Sequence, residues 1–268
     1  MREMSTRTGV SEATLRMWEV RHGFPHPRRV PSGHRRYSEV DVARVRAVVR
    51  AREHGLSLQA AIDLAQDAGE DRPPSVYASL RSTFPALAPQ LLSKRAMLWM
   101  SRAIEDECLA QASRPLLFGC FQHEGFYRAS EGRWRELSRT AERAVVLADF
   151  RRVRRPKGGP VEIPIQADDP VVREWAIVCE SPSFGACLTG WERPVDGSGD
   201  RVFEAAWTVE APAVRLASQV CLGLASTAAP GLLEDIEHRL DATPVAREHE
   251  LRSAIQLSTR MVRYATTS

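Results

Sequence analysis

The feature that most limits how this chain can fold is the punctuation of its first three dozen residues. Gly9, Gly23, Pro25, Pro27, Pro31 and Gly33 leave room only for short helices and turns. Residues 2–8 make one short helix, and Gly9 supplies the positive φ of a tight turn. Ser11 caps a second helix running to about Arg21, with Glu12 in its first turn. Gly23 to Pro27 ends it, because two prolines forbid helix continuation. Arg28 to Arg36 then reads as a hairpin-like wing turning at Pro31, Ser32 and Gly33. Ser38, with Asp41 three residues on, opens a helix to about His54, which Gly55 stops. Ser57 caps one more helix to about Ala68, with Leu58, Ala61, Ile62 and Ala65 at helical spacing.

Charge is unevenly distributed over these elements. Residues 1–55 hold twelve arginines against six acidic residues, an excess of +6. The whole chain carries +3, so the remainder carries −3. Basic excess concentrated in one short segment is what phosphate neutralisation requires. A major groove admits one α-helix, and the second helix of such a pair normally fills it. On that helix Ser11, Thr14 and Arg16 suit base edges and phosphates. In the wing Arg35 and Arg36 supply charge, and Tyr37 offers a hydroxyl and a flat ring to the sugar–phosphate chain. Arg44, Arg46, Arg50 and Arg52 read as a solvated helix face. His22, His26, His34 and His54 share no metal-ligand spacing, and no metal site is expected.

Residues 1–68 resemble the winged helix-turn-helix of the MerR family of bacterial transcription regulators. The resemblance rests on Thr8-Gly9-Val10-Ser11, Thr14-Leu15-Arg16, Trp18-Glu19, Gly33, Arg35-Arg36-Tyr37-Ser38 and Asp41-Val42. Gly23-Phe24-Pro25 with Ser32 to Tyr37 is similar to the subgroup that includes cobalamin-binding light regulators. The resemblance implies DNA contacts from Arg16, Trp18, Arg35, Arg36 and Tyr37. Trp18 shares a helical face with Leu15, which leaves core packing open as its other reading. Residue 1 falls near the start of the first helix, so an upstream start is also left open. The family pairs through a long coiled coil after this domain. Here Pro73, Pro74, Pro85 and Pro89 interrupt that stretch, and the pairing helix is expected only from Leu91.

At 268 residues the chain exceeds one average domain. Residues 69–90 read as a linker, with Gly69 to Pro74 its clearest part. A long amphipathic helix follows over Leu91–Ala112. Strand-like runs lie at Leu116–Gln122, Ala144–Phe150, Val161–Ile165, Trp175–Cys179, Ala186–Trp191 and Val202–Val209. Helices interrupt them at about 125–141 and 211–226, and a last helical pair spans about 232–240 and 246–264. The fold class expected is multi-domain α+β. A mostly helical winged helix-turn-helix precedes a mixed sheet covered by helices, with C-terminal helices over residues 227–268.

Residues 91–226 look like a DICT domain, a sensory module. The carrying residues are Phe118-Gly119, Phe121-Gln122, Phe126-Tyr127, Arg133-Trp134, Leu137, Ala148-Asp149-Phe150, Glu174-Trp175 and Gly190-Trp191-Glu192. That resemblance implies signal perception without a defined ligand. Aromatic residues crowd this half, and they read either as core or as a flat-ligand pocket. Gln122, His123, Glu174 and Glu192 would be the polar convergence points of such a pocket. The cobalamin pattern Asp-x-His-x-x-Gly is absent, so no cofactor is expected.

Five scattered cysteines without a Cys-x-x-Cys read as small core residues, with Cys179 and Cys187 able to meet across neighbouring strands. Glu105, Asp106 and Glu107 read as a solvated acidic cluster. No nucleophile elbow, phosphate-cradling loop, zinc-protease or dinucleotide motif is present, so catalysis is not expected. No membrane span or signal peptide is readable, and a cytoplasmic location is expected. The expected partners are double-stranded DNA with an inverted-repeat operator, a second copy of the chain and RNA polymerase. An unidentified small ligand of the sensory half completes the set. Pairing would use the Leu91–Ala112 helix, or Leu251, Ile255 and Val262 on one terminal face. An RNA-binding or protein-interaction module is the rival class.

Overall fold

The computed structural model describes residues 1–25, 28–29, 35–53, 56–67, 75–165, 169–193, 201–241 and 250–266. His26, Pro27, the wing turn at Pro31–Gly33, His34, His54, Gly55, Ala68, the stretch Gly69–Pro74 and Ala246 lie outside the described residues. The chain divides into two compact units, Met1–Arg72 and Pro73–Ser268.

The first unit begins with α1 (Arg2–Thr8) and α2 (Glu12–His22). Gly9 at φ 74°, as expected, and Gly23 at φ 61° terminate them in the left-handed region. Strands β1 (Arg28–Arg29) and β2 (Arg35–Arg36) pair antiparallel as the wing ladder. Two more helices follow, α3 (Glu39–Glu53) and α4 (Leu58–Asp67). Ser38 donates its N–H and its hydroxyl to Asp41 Oδ2, both at 2.7 Å. Asp41 N–H donates back to Ser38 Oγ at 3.2 Å, so the predicted reciprocal cap forms. The Ala60 N–H finds Ser57 Oγ at 3.2 Å. Leu15 and Trp18 from α2, Val42, Val45 and Val48 from α3, and Ile62 from α4 are buried with Met4 and Phe24.

In the second unit α5 (Val76–Thr83) and the first residue of β3 (Gln90–Ser93) fall within the stretch read as a linker. Ser75 caps α5 through the Ala78 N–H, and Val76, Tyr77 and Leu80 are buried. The helix expected over Leu91–Ala112 is α6 (Lys94–Gln111), entered through Ser93, whose hydroxyl accepts the Ala96 N–H. Next come β4 (Leu116–Cys120), α7 (Glu124–Arg128), α8 (Glu131–Thr140), β5 (Arg143–Ala148) and β6 (Val161–Pro164). After a 3-10 turn come β7 (Glu174–Glu180), β8 (Gly185–Glu192), β9 (Val202–Thr208), α9 (Ala211–Ala228), α10 (Glu234–Asp241) and α11 (Glu250–Thr266). The single helix expected at 125–141 is two. A turn bond from Ser130 N–H to Tyr127 O at 2.7 Å separates them, and both Tyr127 and Trp134 are buried.

Seven strands form one mixed sheet in the order β3-β9-β8-β7-β4-β5-β6. The β4–β5 and β5–β6 pairs are parallel and the rest antiparallel. Alternate residues of the central strands enter two separate cores. On β5, Val145 and Leu147 join the core with α5, α9 and α10. Ala144 and Val146 join the one with α6, α8 and α11. Both faces are thereby covered, which explains the near-continuous apolar strands.

Three expectations are corrected. The β7–β8 register pairs Cys179 with Ala186 and Cys187 with Val178, so the two cysteines lie on opposite faces. Cys179 instead donates to Cys108 Sγ at 2.9 Å from α6, and all five cysteines are buried free thiols. Glu105 and Glu107 are buried rather than solvated, because Arg133 and Arg260 reach them at 3.2 and 2.6 Å. Burial raises the Glu105 carboxyl above its ordinary range. The apolar side of α6 is filled by the sheet, with Met97, Ile104 and Cys108 in the core, so that side is ordinary packing. On α11, Leu251, Ile255 and Val262 are exposed.

Candidate nucleic-acid interface and sensory cavity

At the start of α2 the Ser11 hydroxyl accepts the Thr14 N–H at 3.1 Å and lies 2.8 Å from the Thr14 hydroxyl. The cap fixes both side chains at a helix end whose unpaired N–H groups and dipole favour an anion. One turn on, Arg16 is exposed and lies 3.4 Å from Glu12. An exposed pair of this kind is weak and yields readily to a stronger anion. Tyr37 is half-buried and its hydroxyl donates to Met1 Sδ at 3.3 Å. Trp18 is only 6% exposed, its ring 6.3 Å from that of Phe24. Of its two readings the packing favours the core, and a groove-facing indole is set aside.

The wing holds a feature that the sequence reading did not single out. Arg28 stands opposite Arg36 and Arg29 opposite Arg35 in the ladder. The register thus sets four basic residues at facing positions of one two-stranded ribbon. The signal was readable as two Arg-Arg pairs placed symmetrically in sequence about Pro31-Ser32-Gly33. Two arginines of the supposed solvated face serve the backbone instead. Arg46 donates twice to Arg7 O, at 3.0 and 2.8 Å, and Arg52 donates to Leu56 O at 2.8 Å. His22 pairs with Gln59 at 2.7 Å.

In the second unit the aromatic motif residues are held by close packing. A Cβ at Gly119 would stand 2.5 Å from Trp134, and one at Gly190 would stand 2.8 Å from Met97. These glycines let α8 and α6 approach the sheet. Phe121 lies edge-on to Tyr127 and Trp134, and Trp175 edge-on to Phe203. A cavity of about 200 Å³ remains beside them, lined in part by Leu98, Phe121, Phe126 and Trp175.

Of the four polar residues expected to converge, Gln122 and Glu192 meet, with Gln122 Nε2 donating to Glu192 Oε2 at 2.7 Å. Arg201 completes the group, donating to Glu192 at 2.5 and 2.8 Å and also to Gln122 Oε1. Those bonds hold the Glu192 carboxyl below its ordinary range. Glu174 lies on the other face, where its carboxylate accepts the Val76 and Tyr77 N–H groups at 3.1 and 2.6 Å. Burial pushes its pKa upward. His123 is exposed and pairs with Asp149 at 3.1 Å.

Comparison with known proteins agrees with this division. Residues 1–68 match the MerR HTH family regulatory protein family, and residues 74–193 match the sensory domain found in diguanylate cyclases and two-component systems, DICT. The HTH-type transcriptional repressor CarA of Myxococcus xanthus is 47% identical over 64 residues, 23% of this chain and 22% of that protein. The chain thus matches about a fifth of that relative's length. Residues 1–68 are a MerR-type helix-turn-helix domain, and residues 74–193 a DICT sensory domain.

Proposed function

We infer that the chain is a one-component transcriptional regulator. Its first unit reads operator DNA, and its second unit sets the operator affinity in response to a signal. The observation that carries this reading is the register that gathers four arginines on one short ribbon, a basic excess of the kind phosphate neutralisation requires. Ser11, Thr14 and Arg16 would approach base edges and phosphates from α2, with Arg35, Arg36 and Tyr37 on the flanking backbone. A match to a named repressor favours repression as the sign of control. Leu251, Ile255 and Val262, exposed on α11, support pairing of two chains on an inverted repeat. Contact with RNA polymerase, a cytoplasmic location and the absence of catalysis follow from the same reading. A signal can act only by stabilising one arrangement more than another.

The test is operator selection. Genomic footprinting supplies candidate sites, and fluorescence anisotropy compares each with scrambled duplex at fixed salt. The reading expects a preference on the order of 10³-fold or more for an inverted repeat. Equal affinity for both duplexes would remove it.

A further inference from the structure

The cavity beside α6 combines a size, a shape and a charge that together specify a ligand class. Its volume is about 200 Å³. A dry protein cavity of about 150 Å³ takes up benzene, so this space suits one aromatic ring with a short substituent. The walls are preformed, since Phe121 is held edge-on by Tyr127 and Trp134, and Trp175 by Phe203 and a hydrogen bond to Ser101 at 3.1 Å. Rings fixed in this way lose little further freedom on binding.

Two cations share the cavity lining and meet at one ring. Lys94 Nζ lies 5.5 Å and Arg201 Cζ 5.0 Å from the Phe126 centroid. Glu192 neutralises one of these charges. It engages Nε and Nη2 of Arg201, with Gln122 sharing Nη2, and leaves Nη1 without a hydrogen bond among the described residues. Lys94 makes no ion pair among the described residues. One positive charge and several N–H donors are therefore left for a single anionic group. A fork of this kind next to an apolar slot matches a carboxylate attached to a ring.

We propose that this cavity binds a small aromatic carboxylate, its ring among Phe121, Phe126 and Trp175 and its acid group on Lys94 and Arg201 Nη1. The regulatory meaning of that binding rests on the function inferred above, but the binding itself does not. The test is calorimetric titration of the full chain with three probes: benzoate, benzyl alcohol and cyclohexanecarboxylate. Benzoate is expected to saturate one site per chain, about tenfold or more tighter than either control. Lys94→Met, at an exposed position, should keep the fold by circular dichroism and abolish the advantage of benzoate over benzyl alcohol. Equal binding of the three probes, saturation by none, or an unchanged benzoate affinity in Lys94→Met would overturn the proposal. A chain that selects its operator but ignores benzoate refutes the cavity alone. One that binds benzoate but prefers no duplex refutes the regulator alone.

Discussion

The two units differ in what their arginines pair with. In the second unit guanidinium groups are built into carboxylate networks. Arg128 grips buried Glu162 at 2.6 and 2.7 Å, Arg215 meets Glu180 at 2.5 Å, and Arg133 spans Glu105 and Asp106. In the first unit the ion pairs Arg7–Glu3 and Arg16–Glu12 are single-turn helical pairs at 3.8 and 3.4 Å, and arginine stands opposite arginine in the wing. Internal pairing fixes a shape but removes the charge from outside use. An exposed charge such as that of Arg16 does little for stability and remains available to an external polyanion. The chain therefore separates a rigid receiver from a charged reader.

That contrast can be broken from either side. Glu162→Ala should act most strongly, because it strips a buried carboxylate from Arg128. A loss of about 3 kcal/mol or more in urea unfolding is expected, with DNA affinity per folded molecule unchanged. Replacing Arg35 and Arg36 by alanine should do the reverse, weakening operator binding roughly a hundredfold while leaving the urea midpoint in place. Gly119→Ala sharpens the packing half of the contrast. Its methyl would overlap Trp134, and a loss of about 1–3 kcal/mol should appear as a lower midpoint with an unaltered salt response of DNA binding.

The smallest effect is a pH slope. Burial lifts the Glu174 carboxyl, so the folded chain holds that proton more tightly than the unfolded one. Its contribution to stability is full below the unfolded value of about 4.3 and is lost as pH rises through the higher folded value. Glu174→Gln should flatten this decline in urea midpoints measured across that window. Glu105, raised by burial as well, should leave a residual slope.

Local signals made the first unit legible. Gly9, Ser11, Gly23, Ser38 and Ser57 act within one helical turn of themselves, so reading them needs no partner. The two-faced strands were equally readable from their apolar runs. Residues 75–93 were not, because β3 gains its ladder only from β9, more than a hundred residues later. The same pairing places Lys94 near Arg201, whose carbonyl accepts the Lys94 N–H at 3.0 Å, so the charged part of the cavity could not be read in advance. Glu174 was assigned to the wrong face for a simpler reason. It precedes Trp175 on β7, and neighbours on a strand point to opposite sides. Trp18 shows the limit of motif reading, since a residue shared with a DNA-binding family belongs here to the core.

The central claim is that the first unit neutralises DNA phosphates with its arginine ribbon and α2. It is tested most directly by titrating operator affinity against salt. A dimer making about eight phosphate contacts should give a log–log slope of roughly −7, and the Arg35→Ala, Arg36→Ala chain should lose about four units of it. A shallow slope that is the same in both proteins would contradict the account.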